Sequence, residues 1–204
     1  MSEKKVENMS LLRQIIECII APRSAFRSLL KESNLRYSIL LLSTIAIIAT
    51  LATYIYLEKL QNLITIFPII TLISIFSSWL ISSSLLHIFT RVQEGKSSLR
   101  NMLILSAFTS TPLLIQHTLR LIDSLTINPE QVLQLMTRSQ IFENRFLNTV
   151  LNSALNKLSI FWLWSTYLQV IALQENYKIS KTRSIITVIV TFIIMILIST
   201  FLSF

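Results

Sequence analysis

Two histidines, one cysteine and a run of serines are the residues of this 204-residue chain whose side chains suit catalysis or metal binding. His87 and His117 lie in separate apolar stretches and together could form a proton relay or a metal pair. Zinc takes three or four protein ligands, and no carboxylate lies within either stretch. Both therefore read as hydrogen-bonding residues near helix ends. The single cysteine, Cys18, excludes an intrachain disulfide and a thiolate zinc cluster. It reads as an unmodified thiol on the polar side of an N-terminal helix, with palmitoylation as the alternative use. Ser77, Ser78, Ser82, Ser83 and Ser84 have no base nearby in sequence. They read as small helix contacts that bond back to their own helix rather than as a hydroxyl-lined substrate path. HExxH and GxSxG motifs and paired intramembrane aspartates are absent, and one glycine, Gly95, excludes P-loop and GxGxxG phosphate sites. No catalytic residue, cofactor or metal is expected.

The elements that carry these residues belong in a membrane. The chain is 52% hydrophobic and only 14% charged, with a mean hydropathy of +0.64. Soluble domains are about a quarter charged, and this composition also excludes intrinsic disorder. A spanning helix needs about 20 mainly apolar residues. Five stretches qualify: about 37–57, 63–90, 101–122, 158–174 and 184–204. The second must tilt, bend at Pro68 or extend beyond the bilayer. The third is interrupted by Pro112, and the fourth is short and aromatic. The expected fold is all-α: an integral membrane bundle of five transmembrane helices preceded by an amphipathic cytoplasmic helix pair. Residues 1–36 form the cytoplasmic segment and 37–204 the membrane domain.

Charge orients the bundle, because Lys and Arg accumulate in short cytoplasmic loops. One set of loops holds Lys4, Lys5, Arg13, Arg23, Arg27, Lys31, Arg36, Arg91, Lys96, Arg100, Lys178, Lys181 and Arg183. The opposite set holds Lys59, Arg120, Arg138, Arg145 and Lys157. With the acidic residues counted, the total of +8 divides as +7 and +1. The N-terminus is expected in the cytoplasm and the C-terminus on the opposite side, in a cell membrane. The polar stretch 1–10 does not read as a signal peptide, so the first span is expected to be an uncleaved anchor.

Before that span, Leu12, Ile15, Ile16, Ile19 and Ile20 follow the spacing of one helical face, with Arg13, Gln14, Glu17 and Cys18 on the other side. Ser10 can cap this helix. Pro22 stops it and opens a second, in which Phe26, Leu29 and Leu30 oppose Arg23, Arg27 and Lys31. Such a face either lies on an anionic leaflet or packs under the bundle. Arg13, Arg23, Arg27 and Lys31 are the expected membrane-surface residues. Asn128, Pro129 and Gln131 signal a further surface helix carrying Val132, Leu135 and Met136. Trp79, Trp162 and Trp164 suit an interfacial belt or the bundle interior. The sequon Asn8-Met9-Ser10 falls on the cytoplasmic side and is expected to stay unused. The basic charge is too dispersed for nucleic acid.

Several of these features together resemble one family. IIAPRSAFRSLL, with Pro22 and Phe26, is similar to the P-x-x-x-F segment ahead of the first span in Yip1-domain membrane proteins. Trp79, followed by RVQEGKSSLR with Gly95 and Arg100, resembles that family's second span and the loop after it. Pro112 of AFTSTPLL matches its third span. FWLWSTYLQVIALQENYKISKTRSI, with Trp164, Ser180 and Arg183, resembles its aromatic fourth span, the following loop and the start of the fifth. The resemblance covers roughly residues 18–200. It implies a five-helix bundle with a cytosolic N-terminus and no enzymatic activity. Eukaryotic members reside in Golgi and ER membranes, bind prenylated Rab-type GTPases and assist vesicle trafficking. They carry a longer N-terminal cytosolic region, and this compact chain is more similar to prokaryotic members.

The expected function is that of a non-enzymatic scaffold or adaptor. Its partners are the bilayer, anionic lipids at the cytoplasmic face and other proteins, with a homo-oligomer left open. The rival reading is a small transporter or channel with a pathway near Pro68 and Pro112, since broken helices often frame transport sites.

Overall fold

The computed structural model describes residues 10–32, 34–59, 66–93, 95–128 and 159–201. Among them the chain is all-α: α1 Leu11–Ile20, α2 Pro22–Glu32, α3 Leu35–Lys59, α4 Ile66–Val92, α5 Leu99–Thr109, α6 Thr111–Thr126, α7 Ile160–Tyr177 and α8 Lys181–Phe201. The start of the expected fourth span, the expected helix after Asn128 and the sequon asparagine lie outside the described residues.

Among the described residues, four segments are long and apolar enough to cross a membrane: α3, α4, α5 with α6 (Leu99–Thr126), and α8. The expectation of five clear spans is corrected at α7. Its 18 residues include Gln169, Gln174, Glu175 and Asn176, which dilute its hydropathy. The physical reason is position. The second half of α7 is almost wholly buried, from Val170 to Leu173 and from Glu175 to Tyr177. A helix side covered by protein rather than lipid does not need to be apolar.

Local chemistry explains the helix breaks. Ala21 separates α1 from α2, and Pro22 supplies a preset first helical residue without an N–H to satisfy. Ser10 takes the N-cap position of α1, but its side chain makes no capping bond; its carbonyl accepts the Gln14 N–H at 3.1 Å. Ser98 and Ser159 do cap, accepting the N–H of Asn101 at 3.2 Å and of Trp162 at 3.1 Å. Ser110 interrupts the third span, and Pro112 sits buried in the first turn of α6. Pro68 also falls in a first turn, that of α4. A proline there costs no ladder bond, so it marks a helix start rather than a bend.

Lipid offers no hydrophobic drive between spans, so contacts rest on close packing of small residues. The buried face of α3 is Ser38, Leu41, Leu42, Ile45, Ala46, Ala49 and Ala52, and α8 buries Ser184, Thr187, Thr191 and Thr200. Trp79 Nε1 donates to Ser106 Oγ at 2.9 Å and Leu103 O at 3.2 Å, and Ser83 Oγ meets Ser106 Oγ at 2.6 Å. Thus Ser82 and Ser83 back-bond to Trp79 O as expected, whereas Ser77 and Ser78 are exposed rather than packed.

One apolar cluster joins α2 to the spans. Phe26, fully buried, packs with Cys18, Ala25, Leu29, Leu41, Ile104, Phe108 and Leu168, among others. The face of α1 differs from expectation. It is Gln14 and Cys18 that turn inward, with Leu11 and Ile15 half-buried on the same cluster. Leu12, Ile16 and Ile20 are 67%, 46% and 77% exposed. Gln14 is tolerated inside because its Nε2 donates to Glu32 Oε2 at 2.6 Å. Burial pushes the Cys18 thiol up to about 12, so it stays protonated at neutral pH and is screened from acylation.

Phe26 anchors α2 in this cluster, so Phe26→Ala is expected to cost about 3–5 kcal/mol. Thermal unfolding of the detergent-solubilised chain, with trypsin cleavage at α2 as a local readout, checks this. Lys31→Arg, on the exposed side of α2, keeps the cleavage site and is the control expected to change neither.

Candidate functional site at the basic end of the bundle

The last turn of α7, Gln174-Glu175-Asn176-Tyr177, gathers three segments distant in sequence. Glu175 is only 4% exposed, yet its partners Arg23, Arg27 and Lys178 all reach solvent. Arg27 grips it with two bonds, Nε to Oε2 at 2.7 Å and Nη2 to Oε1 at 3.2 Å. Such forked guanidinium–carboxylate pairs are the strong ones. Arg23 reaches Glu175 Oε1 at 3.3 Å and Gln174 Oε1 at 2.9 Å, and Lys178 Nζ approaches Oε2 at 3.5 Å. The hydrogen bond from Arg27 holds the Glu175 carboxyl below the usual glutamate range, overriding burial, which pushes it up; the charges of Arg27 and Lys178 add to the lowering. The same bond raises the Arg27 guanidinium.

The loop after α4 closes the other side. Ser97 Oγ donates to Asn176 Oδ1 at 2.5 Å, and Tyr177 Oη meets His87 Nδ1 at 2.5 Å. Gly95 lies against Tyr177. Its N–H donates to Thr90 O at 3.0 Å. A Cβ there would stand 2.8 Å from Thr90 O and 2.9 Å from Tyr177 Cδ1. The glycine is therefore required by close approach rather than by its backbone angles. Gln93 Nε2 bonds Thr187 Oγ1 at 2.9 Å, and Arg183 Nη1 reaches Gln93 O at 3.4 Å. Lys178 ends α7 in the left-handed region at φ 57, a conformation a helix C-terminus usually gives to glycine.

The structure brings together some of the residues expected from sequence and separates others. Arg23 and Arg27 share Glu175, while Gly95 and Arg183 join the α4 loop to α7 and α8. Arg13 pairs instead with Glu17 on its own helix at 3.1 Å, and Lys31 is exposed in the last turn of α2. Arg100 is exposed in the first turn of α5. Ser180 caps α8, accepting the Arg183 N–H at 3.4 Å. Pro22 and Phe26 shape and seat α2, Pro112 and Trp79 are built into the spans, and Trp164 is half-buried beside the Phe26 cluster. His87 is used by Tyr177, and no three His, Cys, Asp or Glu side chains gather for a metal among the described residues.

Glu175 and Tyr177 were not anticipated from sequence. The available signal was slight: Glu175 is the last acidic residue of the chain, directly ahead of Lys178, Lys181 and Arg183. Chemically the arrangement is a clamp with a basic outer surface.

A carboxyl with a lowered value stabilises the fold above its unfolded-state range and loses that contribution as pH falls through its folded-state value. Docking of α2 is therefore expected to weaken on acidification below about pH 4, the ordinary glutamate range. Trypsin sensitivity at Arg23 and Arg27 after brief acid exposure measures it, and Glu175→Gln should flatten the dependence and expose α2 at neutral pH. Gly95→Ala should cost about 1–3 kcal/mol by overpacking, read as a lowered Tm, with Lys96→Ala unchanged.

The Yip1 domain family model matches residues 16–202, nearly the whole chain. No curated protein and no solved structure matches. The match runs from α1 to the end of α8 and takes in the clamp, the Gly95 loop and the spans. With its apolar helices, it makes the chain an integral multi-pass membrane protein, and the chain belongs to the Yip1-domain family.

Proposed function

We propose that this protein is a non-enzymatic membrane scaffold whose basic end lies on the cytoplasmic face and recruits anionic lipid and partner proteins there. The observation that carries the reading is the outward face of α1. Leu12, Ile16 and Ile20 point away from the bundle, while the inward Leu11 and Ile15 pack on the cluster that also receives Leu114 of α6. An exposed apolar stripe beside a spanning helix suits the acyl boundary of a leaflet. Burying each such side chain contributes about 1.5–3 kcal/mol. Arg13 flanks the stripe, and Arg23, Arg27 and Lys31 follow on α2. Each cation near an anionic surface adds about 1 kcal/mol.

In this reading α7 is the fourth of five spans, sheltered by its neighbours, and the N-terminus is cytoplasmic with the C-terminus opposite. The division of basic residues supports that orientation, and the cell membrane is the proposed location. Arg23 and Arg27 serve twice: one side of each guanidinium holds Glu175, and the exposed side faces headgroups. Protein partners, including further copies of the chain, would use the same surface. Its loops come from separate parts of the sequence and present one shape only while the Glu175 clamp is closed.

Arg13→Glu with Lys31→Glu tests this without breaking the clamp. The double variant, purified from native membranes, should retain fewer anionic lipids by native mass spectrometry and lose partners captured by cross-linking. Unchanged lipid retention and unchanged cross-links would sink the scaffold reading.

A further inference from the structure

At the other end of the bundle the spans part. All the buried residues of α4, Ser83, Leu86 and Thr90, lie in its half nearest the basic end. The rest of α4 stands off the bundle and leaves a cavity of about 750 Å³ between α3, α4, α6, α7 and α8. Along α3 its wall runs from Leu42 to Tyr56, which at 1.5 Å per residue is about 21 Å. That volume falls within the range of small-molecule sites, about 300–1,000 Å³.

The wall carries polar groups with unmet hydrogen bonds. Thr191 is 4% exposed and its Oγ1 has no partner. Gln169, His117 and Arg120 line the same cavity and make no hydrogen bond to any described residue. Unmet polar groups at membrane depth are costly. Two wall threonines are already satisfied by their own helix: Thr53 bonds Ala49 O at 2.9 Å and Thr71 bonds Phe67 O at 3.0 Å. The remaining groups share one property, since each can donate. The one carboxylate on the wall, Asp123, is engaged by Tyr56 Oη at 2.5 Å. A lining of donors that no described residue engages, with its acid occupied, selects a ligand rich in acceptors. Arg120 adds a positive charge on the same helix face as His117, one turn away.

We propose that this cavity binds an organic oxyanion, a carboxylate or phosphate on a partly apolar body. Arg120 and His117 receive the anionic group, and Gln169 and Thr191 bond acceptor atoms deeper in. Leu113, Phe192 and Met195 cover the apolar part. The same chemistry arrives from two sources: a soluble organic acid entering from water at the Tyr56–Arg120 end, or the headgroup of an anionic lipid entering past α4.

Trp79 and Trp162 line the cavity and report occupancy by heavy-atom quenching. The full chain in phosphatidylcholine nanodiscs is titrated with 4-iodobenzoate against neutral 4-iodobenzyl alcohol. A second arm compares phosphatidylglycerol carrying brominated acyl chains with phosphatidylcholine carrying the same chains. Saturable quenching by one acidic probe, without saturation by its neutral counterpart, is the expected result, and the arm that saturates names the source. Arg120→Gln should weaken that binding about fivefold, the share of one cation near its anion, while Ser78→Phe, which narrows the cavity from the exposed side of α4, should abolish it. Equal, linear quenching by acidic and neutral probes in both arms, unchanged in Arg120→Gln, would overturn the proposal.

Discussion

The buried carboxylate of Glu175 is the interaction on which the basic end of this bundle depends. An ionised carboxylate out of water is tolerable only when it is paired and hydrogen-bonded. Glu175 meets that condition through Arg27, Arg23 and Lys178. The clamp is asymmetric: its acid is hidden and its bases are exposed. Removing the acid would leave the cations in water, which costs them little, but would release α2 from α7. Removing a cation would strand part of a buried charge. The acid therefore determines where α2 sits, and α2 in turn carries Phe26 into the core and holds α1 at the edge of the bundle.

The same turn of α7 organises the second half of that end. Asn176 and Tyr177 receive His87 from α4 and Ser97 and Gly95 from the loop after it. Gly95 and the α7 terminus are thus two parts of one contact, and a side chain at residue 95 would separate them. This accounts for where the chain spends its single glycine. Elsewhere close approach is achieved with Ser, Ala and Thr on α3 and α8, where Thr44, Thr53 and Thr200 bond back to their own helices. Thr191, Gln169, His117 and Arg120, which bond to no described residue, line one cavity.

Residue periodicity was enough to locate most elements. The spans at 37–57, 63–90, 101–122 and 184–204 agree with helices to within a few residues, because twenty apolar residues in a row have few other uses. Pro22 and Pro112 gave away helix starts, since proline lacks the N–H a helix interior needs. The faces of α1 were not legible. Its apolar stripe suited an anionic leaflet or the underside of the bundle equally, and the bundle receives Gln14 and Cys18. The sequence cannot distinguish lipid from protein as the apolar environment of Leu12, Ile16 and Ile20. Glu175 was equally hidden, because its partners lie some 150 residues away.

By itself the sequence determined the membrane setting, the helical class, the approximate spans and the family pattern of Pro22, Phe26, Gly95 and Pro112. Those are properties of composition and local spacing, and both survive in one dimension. Tertiary structure alone decided that Glu175 unites Arg23, Arg27 and Lys178, that α7 is sheltered enough to be polar, and that α4 stands away from its neighbours to open a donor-lined cavity. Each of these depends on which helices become neighbours. In a chain where most spans are apolar, that choice is made by small differences in shape and by a few polar contacts between distant residues, and it leaves little trace in the order of the residues.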